Sequence, residues 1–197
     1  MNVAILDLGV GNLHSLGKAL QRQGATVRVE TSPDAALAAD ALVLPGVGAF
    51  GAAAARLAEA RQSLGAALAG GHPCLGICLG MQLLFTASDE GEGAGLGLFP
   101  GRVRRLTARP LPHMGWNDVV VARPDPLFGG VDPLLAYFAH SYAPLAEPTG
   151  ELAWSRHGDE RFAAVVRHRR TWGVQFHPEK SGAAGLRLLR NFLEAAA

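Results

Sequence analysis

Five residues, Gly76-Ile77-Cys78-Leu79-Gly80, limit this chain more than any other segment. They close the apolar run Pro73 to Ile77, and glycines two before and two after a cysteine form the pattern of a nucleophile elbow, with Cys in place of Ser. The elbow is a sharp strand-to-helix turn, and its flanking residues must be small because the backbone folds back on itself. A strand must therefore end at Ile77 and a helix begin at Leu79, which the apolar pattern extends through Phe85. The helix start would bring unpaired N–H groups and a positive dipole end to the sulfur, favouring the thiolate, the reactive form. A free thiol with a pKa of about 8.5 is mostly protonated at neutral pH, so some activation is required. Most free cysteines are small buried apolar residues, and it is the glycine frame that turns Cys78 into a candidate nucleophile.

A second apolar run, Trp172 to Phe176, closes on His177-Pro178-Glu179, roughly a hundred residues downstream. Such a distance suits a site assembled by the fold. Pro178 fixes its own φ and keeps His177 out of the α region, so both polar side chains stand on an extended turn just past a strand end. There Glu179 can hold one imidazole nitrogen and leave the other facing the thiol, as a base of defined tautomer requires. Alone, His-Pro-Glu is more often a turn with a solvated carboxylate; its weight comes from the elbow upstream.

The rest of the chain alternates between strand-like and helix-like segments. Val3 to Leu8 reads as a continuous apolar strand, and Leu13, Leu16 and Leu20 recur at helical spacing until Gly24. Val27 to Val29 and Ala41 to Leu44 are further strands, and Ala52 to Ala69 reads as one alanine-rich helix with Leu57, Leu64 and Leu68 on a stripe. Alternation of this kind makes a parallel sheet covered by helices. Residues 91 to 101 form a glycine-rich connection, and from Val103 to Val174 short strand-like runs are broken by Pro and Gly. Ala183 to Glu194 closes the chain as an amphipathic helix.

Length and composition agree: 197 residues, 49% hydrophobic and 18% charged, suffice for one soluble domain without metal or disulfide staples. Cys74 and Cys78, four apart across a turn, match neither a bridge nor a zinc spacing, which points to a reducing cytoplasm. No signal-peptide pattern follows Met1-Asn2-Val3, and no apolar stretch reaches membrane length, so secretion and membrane insertion are not expected. A net charge of +1 offers no field for nucleic acid, and Arg102 to Arg105 and Arg167 to Arg170 read as solvated strand edges. Gly9-Val10-Gly11-Asn12-Leu13-His14 follows a strand as a dinucleotide fingerprint would, but His14 replaces the third glycine, and no acidic residue clearly stands at the ribose position. The remaining histidines, His14, His72, His113, His140, His157 and His168, have no metal-ligand spacing and are expected in satisfied or solvated roles. Pro45-Gly46-Val47-Gly48 has the composition of a tight turn, and at the same sheet edge as the elbow it can also present a backbone N–H to a developing oxyanion, complementing that of Leu79.

Gly-Ile-Cys-Leu-Gly-Met-Gln at 76 to 82, Pro-Gly-Val-Gly at 45 to 48 and Gly-Val-Gln-Phe-His-Pro-Glu-Lys-Ser at 173 to 181 resemble, in order, the three blocks of the triad-type (class I) glutamine amidotransferases. Gly-Asn at 11 to 12, Pro112-His113-Met114-Gly115-Trp116-Asn117, Phe-Ala-His-Ser-Tyr at 138 to 142 and the Lys-Ser after Glu179 resemble those family members that serve histidine biosynthesis as a glutaminase subunit. The resemblance runs from Met1 into the C-terminal helix. It implies one amidotransferase domain over 1–197, a flavodoxin-like, α/β-hydrolase-like sandwich with a mixed, mostly parallel sheet flanked by helices. It further implies that Cys78, His177 and Glu179 hydrolyse glutamine through a thioester, with Val47, Gly48 and Leu79 at the oxyanion hole, Gln82, Glu90, Ser141 and Tyr142 around the substrate, and no metal or cofactor. Glu90 suits the ammonium of an amino acid on chemical grounds, although a solvated loop acid is the competing reading. In that family ammonia passes to a (β/α)8-barrel cyclase that closes imidazole glycerol phosphate. The positions matching the interface with it are Asn12, Trp116 and Lys180, and a chain of this kind is expected to be poorly active until its partner holds ligand.

Three alternatives stand beside this one. A glutaminase subunit for anthranilate or aminodeoxychorismate synthesis would share the triad, and the His113 to Asn117 block argues against it. A cysteine peptidase or γ-glutamyl hydrolase could use the same elbow, and a silent scaffold would not need Cys, His and Glu in register.

Overall fold

In the computed structural model all residues but Val10, Pro133, Ala146 and Glu147 are described. Strand β1 (Asn2–Leu6) is apolar and buried from Val3 onward on both faces, so it needs cover on two sides. Helix α1 (Leu13–Arg22), β2 (Thr26–Glu30), α2 (Pro33–Leu37), β3 (Ala41–Leu44), α3 (Phe50–Leu57), α4 (Arg61–Gly70) and β4 (Cys74–Ile77) follow. The single-turn helix α5 (Leu79–Gln82) leads into β5 (Phe85–Ser88), β6 (Phe99–Arg105), β7 (His113–Asp118) and β8 (Val120–Val121). Strands β9 (Leu135–His140), β10 (Tyr142–Ala143), β11 (Glu151–His157), β12 (Glu160–His168) and β13 (Thr171–Val174) precede the final helix α6 (Gly182–Ala196).

Eight strands form one sheet in the order β2-β1-β3-β4-β13-β12-β11-β8. The first five run parallel, and β12, β11 and β8 extend the sheet antiparallel. Alternate residues of β1 feed two cores: Val3 and Ile5 join Leu16 and Leu20 of α1 and Leu188, Leu189 and Phe192 of α6, while Ala4 and Leu6 join Phe50 and Leu57 of α3 and Leu64 and Leu68 of α4. This is the expected α/β sandwich with a mixed, mostly parallel sheet. Two small additions flank it, a three-stranded sheet β10-β6-β5 and the antiparallel ribbon β7-β9. Among the described residues no helix is long and apolar enough to cross a membrane.

Three expectations need correction. The helix after the elbow stops at Gln82 and does not reach Phe85, because Phe85 enters β5 opposite Phe99 and the carbonyl of Leu83 accepts the N–H of Leu96 at 2.7 Å. The alanine-rich segment is two helices, α3 and α4, separated by Ala58, Glu59 and Ala60. Alanine favours helix without saying where it ends, and the break lets Leu57 and Leu64 turn into the same core. In strand β12 one arginine is also less solvated than expected: Arg167 pairs with Asp125 at 2.6 Å and lies 4.6 Å from the Trp172 ring centroid, whereas Arg102, Arg104 and Arg105 of β6 stand exposed as expected.

From β1 the chain moves outward to β2 and then crosses to β3 on the other side of β1, so strand order reverses between β1 and β3. Sheets of this kind take ligands in the crevice beyond the strand C-termini at such a reversal. Pro45 to Gly48 follow β3 there, Cys78 follows β4, and His177 lies just past β13. Adding a methyl group at Gly80 would set it on the Leu44 carbonyl, whereas Gly70 has open space around it. Gly80→Ala is therefore expected to cost about 3 kcal/mol in urea unfolding, and Gly70→Ala to stabilise by about 0.5–1 kcal/mol. Equal midpoints for the two variants would show that the elbow yields.

Candidate functional site

The cysteine sits at a backbone angle that L-residues avoid. Cys78 has φ 53° and ψ −107°, and Arg169 is the other described non-glycine residue with positive φ. Such a conformation costs on the order of 1–3 kcal/mol and persists only where the surroundings hold it. Here the Cys78 N–H donates to Val174 O at 2.7 Å, continuing the β4–β13 ladder through the turn. A Cβ at Gly76 would lie 2.7 Å from the carbonyl oxygen of Gly80, and one at Gly46 would strike Leu79. The glycines of the elbow and of the neighbouring turn therefore exist because three backbones meet there.

His177 stands on the extended turn foreseen for it, with φ −100° and ψ 96°. Its N–H donates to Tyr137 O at 2.9 Å, its carbonyl accepts from Ser181 Oγ at 2.6 Å, and that hydroxyl also takes the Tyr137 N–H at 2.9 Å. Strand β9 thus holds the backbone that carries the imidazole. His177 Nδ1 bonds Glu179 Oε1 at 2.9 Å, with both side chains buried. Burial lowers the proton affinity of His177, but Cys78 and Glu179 beside it outweigh that and push its pKa up to about 9. His177 Nε2 makes no formed hydrogen bond, so the influence of Cys78 is that of a close neighbour. At neutral pH the Cys78 sulfur accordingly faces an imidazolium.

Beside Cys78 opens a cleft of about 210 Å³ lined by Val47, Gly48, Leu79, Gln82, Glu90, His140, Ser141 and Tyr142. Drug-sized ligands occupy about 300–1,000 Å³, so this volume suits one amino acid better than a peptide. The fold thus brings together every residue that sequence reasoning placed at the oxyanion hole or around substrate. Gly48 has φ 151° and Val47 is half exposed, so the turn after β3 lies open at its tip. Glu90 accepts the N–H of Phe50 at 2.8 Å through Oε2, which anchors its carboxylate to the start of α3. Gln82 donates from Nε2 to Tyr142 O at 2.9 Å and to Gln175 Oε1 at 3.2 Å.

Two groups were missed. Gln175, fully buried, donates from Nε2 to Cys78 Sγ at 3.5 Å. Its place two residues before His177, with a side chain on the inward face of an apolar run, was the available signal. Behind the cleft, His113 Nδ1 lies 3.1 Å from Nε2 of His140, which lines the cleft, and His140 Nδ1 lies 3.0 Å from Tyr142 O. A carbonyl can only accept, so His140 Nδ1 carries the proton, His140 Nε2 accepts from His113, and His113 Nε2 accepts from Asn117 Nδ2 at 3.2 Å. Burial, helped by His157 beside His113 and by His113 beside His140, pushes His113 down to about 4 and His140 down to about 3.

The three residues expected at a partner interface lie apart from the cleft. Trp116 is 53% exposed and packs edge-on against Tyr137 at 6.2 Å between centroids, and Lys180 Nζ lies 5.8 Å from the same ring. Asn12 caps α1, its Oδ1 accepting from Ser15 N–H at 3.1 Å.

Residues 4–196 match the family described as Glutamine amidotransferase class-I. The chain is 47% identical over 204 residues to Imidazole glycerol phosphate synthase subunit HisH of Synechococcus elongatus, covering 99% of this chain and 94% of that protein. It is 49% identical over 209 residues to the protein of the same name from Nocardia farcinica, covering 98% of each. A solved structure described as a glutamine amidotransferase superposes with a TM-score of 0.74 at 24% identity, covering 98% of each chain, and speaks to the fold.

The histidine shifts have opposite signs and bound the pH range of stability from both ends. The pKa of His177 is raised, so the stability it contributes is full below about 6.5 and is lost as pH rises through about 9. Those of His113 and His140 are lowered, so their contribution is full above about 6.5 and is lost as pH falls toward about 4 and 3. Each histidine adds a slope of up to about 1.4 kcal/mol per pH unit within its window. Chemical unfolding across pH should show both limbs, with His140→Gln flattening the acid one and His177→Gln the alkaline one; an unchanged acid limb in His140→Gln would refute the neutral pair.

Proposed function

Since the chain belongs to the class-I glutamine amidotransferases, and among them to the family of imidazole glycerol phosphate synthase subunit HisH, it is a glutaminase subunit, and we propose that Cys78, His177 and Glu179 carry its chemistry. The observation that supports this most is the buried His177–Glu179 pair, 2.9 Å apart, set beside a cysteine held at positive φ on a glycine-framed elbow. The whole of 1–197 then acts as one amidotransferase domain, working in the cytoplasm with both cysteines free.

The Cys78 sulfur attacks the side-chain carbonyl of glutamine, and the carbonyl π electrons move to oxygen. The N–H of Leu79 and a backbone N–H from the Val47–Gly48 turn receive that oxyanion; each such donor is worth about 3 kcal/mol in the transition state. Collapse of the adduct breaks the C–N bond, and His177 delivers its proton to the departing ammonia. Water, deprotonated by the same imidazole, then cleaves the thioester and frees glutamate and the thiol. Glu179 holds Nδ1 throughout, so Nε2 is the atom that exchanges the proton. Within the cleft, Gln82, Glu90, Ser141 and Tyr142 surround the amino acid, with Glu90 facing its ammonium.

As a subunit the chain works with a partner subunit, which we take to be a (β/α)8-barrel cyclase that consumes the ammonia. Asn12, Trp116 and Lys180 are the surface we assign to it: an exposed tryptophan beside Tyr137 and a lysine over the same ring form an aromatic and cationic patch fit for an interface anchor. The Val47–Gly48 turn, open at its tip, is where partner binding would set the second oxyanion donor, so the isolated chain is expected to be slow.

Ammonia release from glutamine is expected to rise steeply when the cyclase and its nucleotide ligand are added, and to vanish in Cys78→Ala. His177→Asn should lower kcat by about 10²–10⁴-fold. A rate indifferent to the cyclase would favour another synthase or a stand-alone hydrolase. Lys180→Ala should weaken the stimulation while Cys78 stays reactive toward alkylating agents; an unchanged ligand-stimulated rate would remove Lys180 from the interface.

A further inference from the structure

The amide of Gln175 has only one orientation open to it. Tyr142 O is a pure acceptor and is 2.9 Å from Gln82 Nε2, so Gln82 must present its NH₂ group there. That same nitrogen lies 3.2 Å from Gln175, which must therefore offer its oxygen, because two NH₂ groups face to face would leave a buried donor unpaired. The remaining end of the Gln175 amide is the NH₂, and it points at Cys78 Sγ, 3.5 Å away. Tyr142 O is itself tied down, accepting in addition from His140 Nδ1 at 3.0 Å. The Gln175 backbone N–H is held by Ala164 O at 2.9 Å, and its side chain has no exposed surface.

We propose that Gln175 is a catalytic residue whose Nε2–H stabilises the Cys78 thiolate by direct hydrogen bonding, and that Gln82 is a positioning residue that locks the Gln175 amide in the donating orientation. This rests on the reading of Cys78 as nucleophile. An N–H donor favours the anionic sulfur over the neutral thiol, and a buried one cannot be replaced by water when substrate fills the cleft. It gives the sulfur a second stabilising contact besides the imidazolium, which matters because the helix after the elbow is a single turn. With both Nε2 hydrogens of Gln82 committed to Tyr142 and Gln175, its Oε1 is the atom left for an amino acid in the cleft.

The test is the pH dependence of iodoacetamide alkylation of the full chain, followed by mass spectrometry, because that reaction reads the thiolate without needing substrate. Cys74 is fully buried, and Cys78→Ala supplies the blank. Gln175→Leu keeps the volume and removes the donor; its alkylation midpoint is expected to move up by about one pH unit. Its kcat for ammonia release with the cyclase present should fall by about 10- to 100-fold, with KM within about twofold. Gln82→Met frees the Gln175 amide to rotate and should move the alkylation midpoint in the same direction, which keeps the test intact if Gln175→Leu does not fold. Wild-type midpoints in the folded variants would overturn the proposal, since a residue that only fills space would not move a titration. A Cys78→Ala chain that still released ammonia would instead overturn the nucleophile itself, and the role of Gln175 with it.

Discussion

Gly80 lies with its backbone against the carbonyl of Leu44, too close for any side chain, and the site depends on that approach. Strand β3, strand β4 and the first turn of α5 meet at this point, and Gly46, Gly76 and Gly80 are the residues through which they touch. Because the elbow is wedged against β3, Cys78 can be held at positive φ, and the turn after β3 comes alongside the N–H of Leu79. The strain at the cysteine and the closeness of the turn after β3 to Leu79 are thus consequences of one backbone contact. Neither could be adjusted without moving the other.

Histidine is used in this molecule in two opposite electrical states, and the neighbours decide which. His177 and His140 are both buried, so desolvation disfavours the charged form of each. His177 has a carboxylate on Nδ1 and a thiol near Nε2 and becomes a cation at neutral pH. His140 has a carbonyl on one side and another imidazole on the other, which satisfies both nitrogens in the neutral form and leaves nothing to balance a charge. A charged imidazole near the sulfur and an uncharged one lining the cleft follow from the same side chain in two settings. The neutral one also keeps Tyr142 O in place, and with it the amide chain through Gln82 and Gln175.

Motifs bound to tight backbone geometry were legible in the chain because few residues fit them. Glycine at 76 and 80 around a cysteine, and proline after His177, restrict φ and ψ so strongly that a turn and the direction of its side chain can be read directly. The parallel half of the sheet was legible for a similar reason, since strands covered on both faces are continuously apolar. The extent of α5 and the break between α3 and α4 were not, because a Leu-Leu-Phe run and an alanine run suit a helix equally well whether or not another strand claims their carbonyls. Arg167 shows the same limit: its charge suggested solvent, but Asp125, more than forty residues earlier in the chain, reaches it only in the folded sheet.

By itself the sequence determined that a cysteine stands on an elbow at a strand end, that a histidine and a glutamate follow another strand, and that the chain makes a covered α/β sheet. These are local statements, carried by periodicity and by residues with restricted backbones. Only the tertiary structure decided that Gln175 faces the sulfur, that Glu90 is tied to the start of α3, and that His113 and His140 pair neutrally behind the cleft. Each of those depends on hydrogen-bond partners from distant parts of the chain, and a side chain of this kind has no preferred direction until the fold supplies the group it must face.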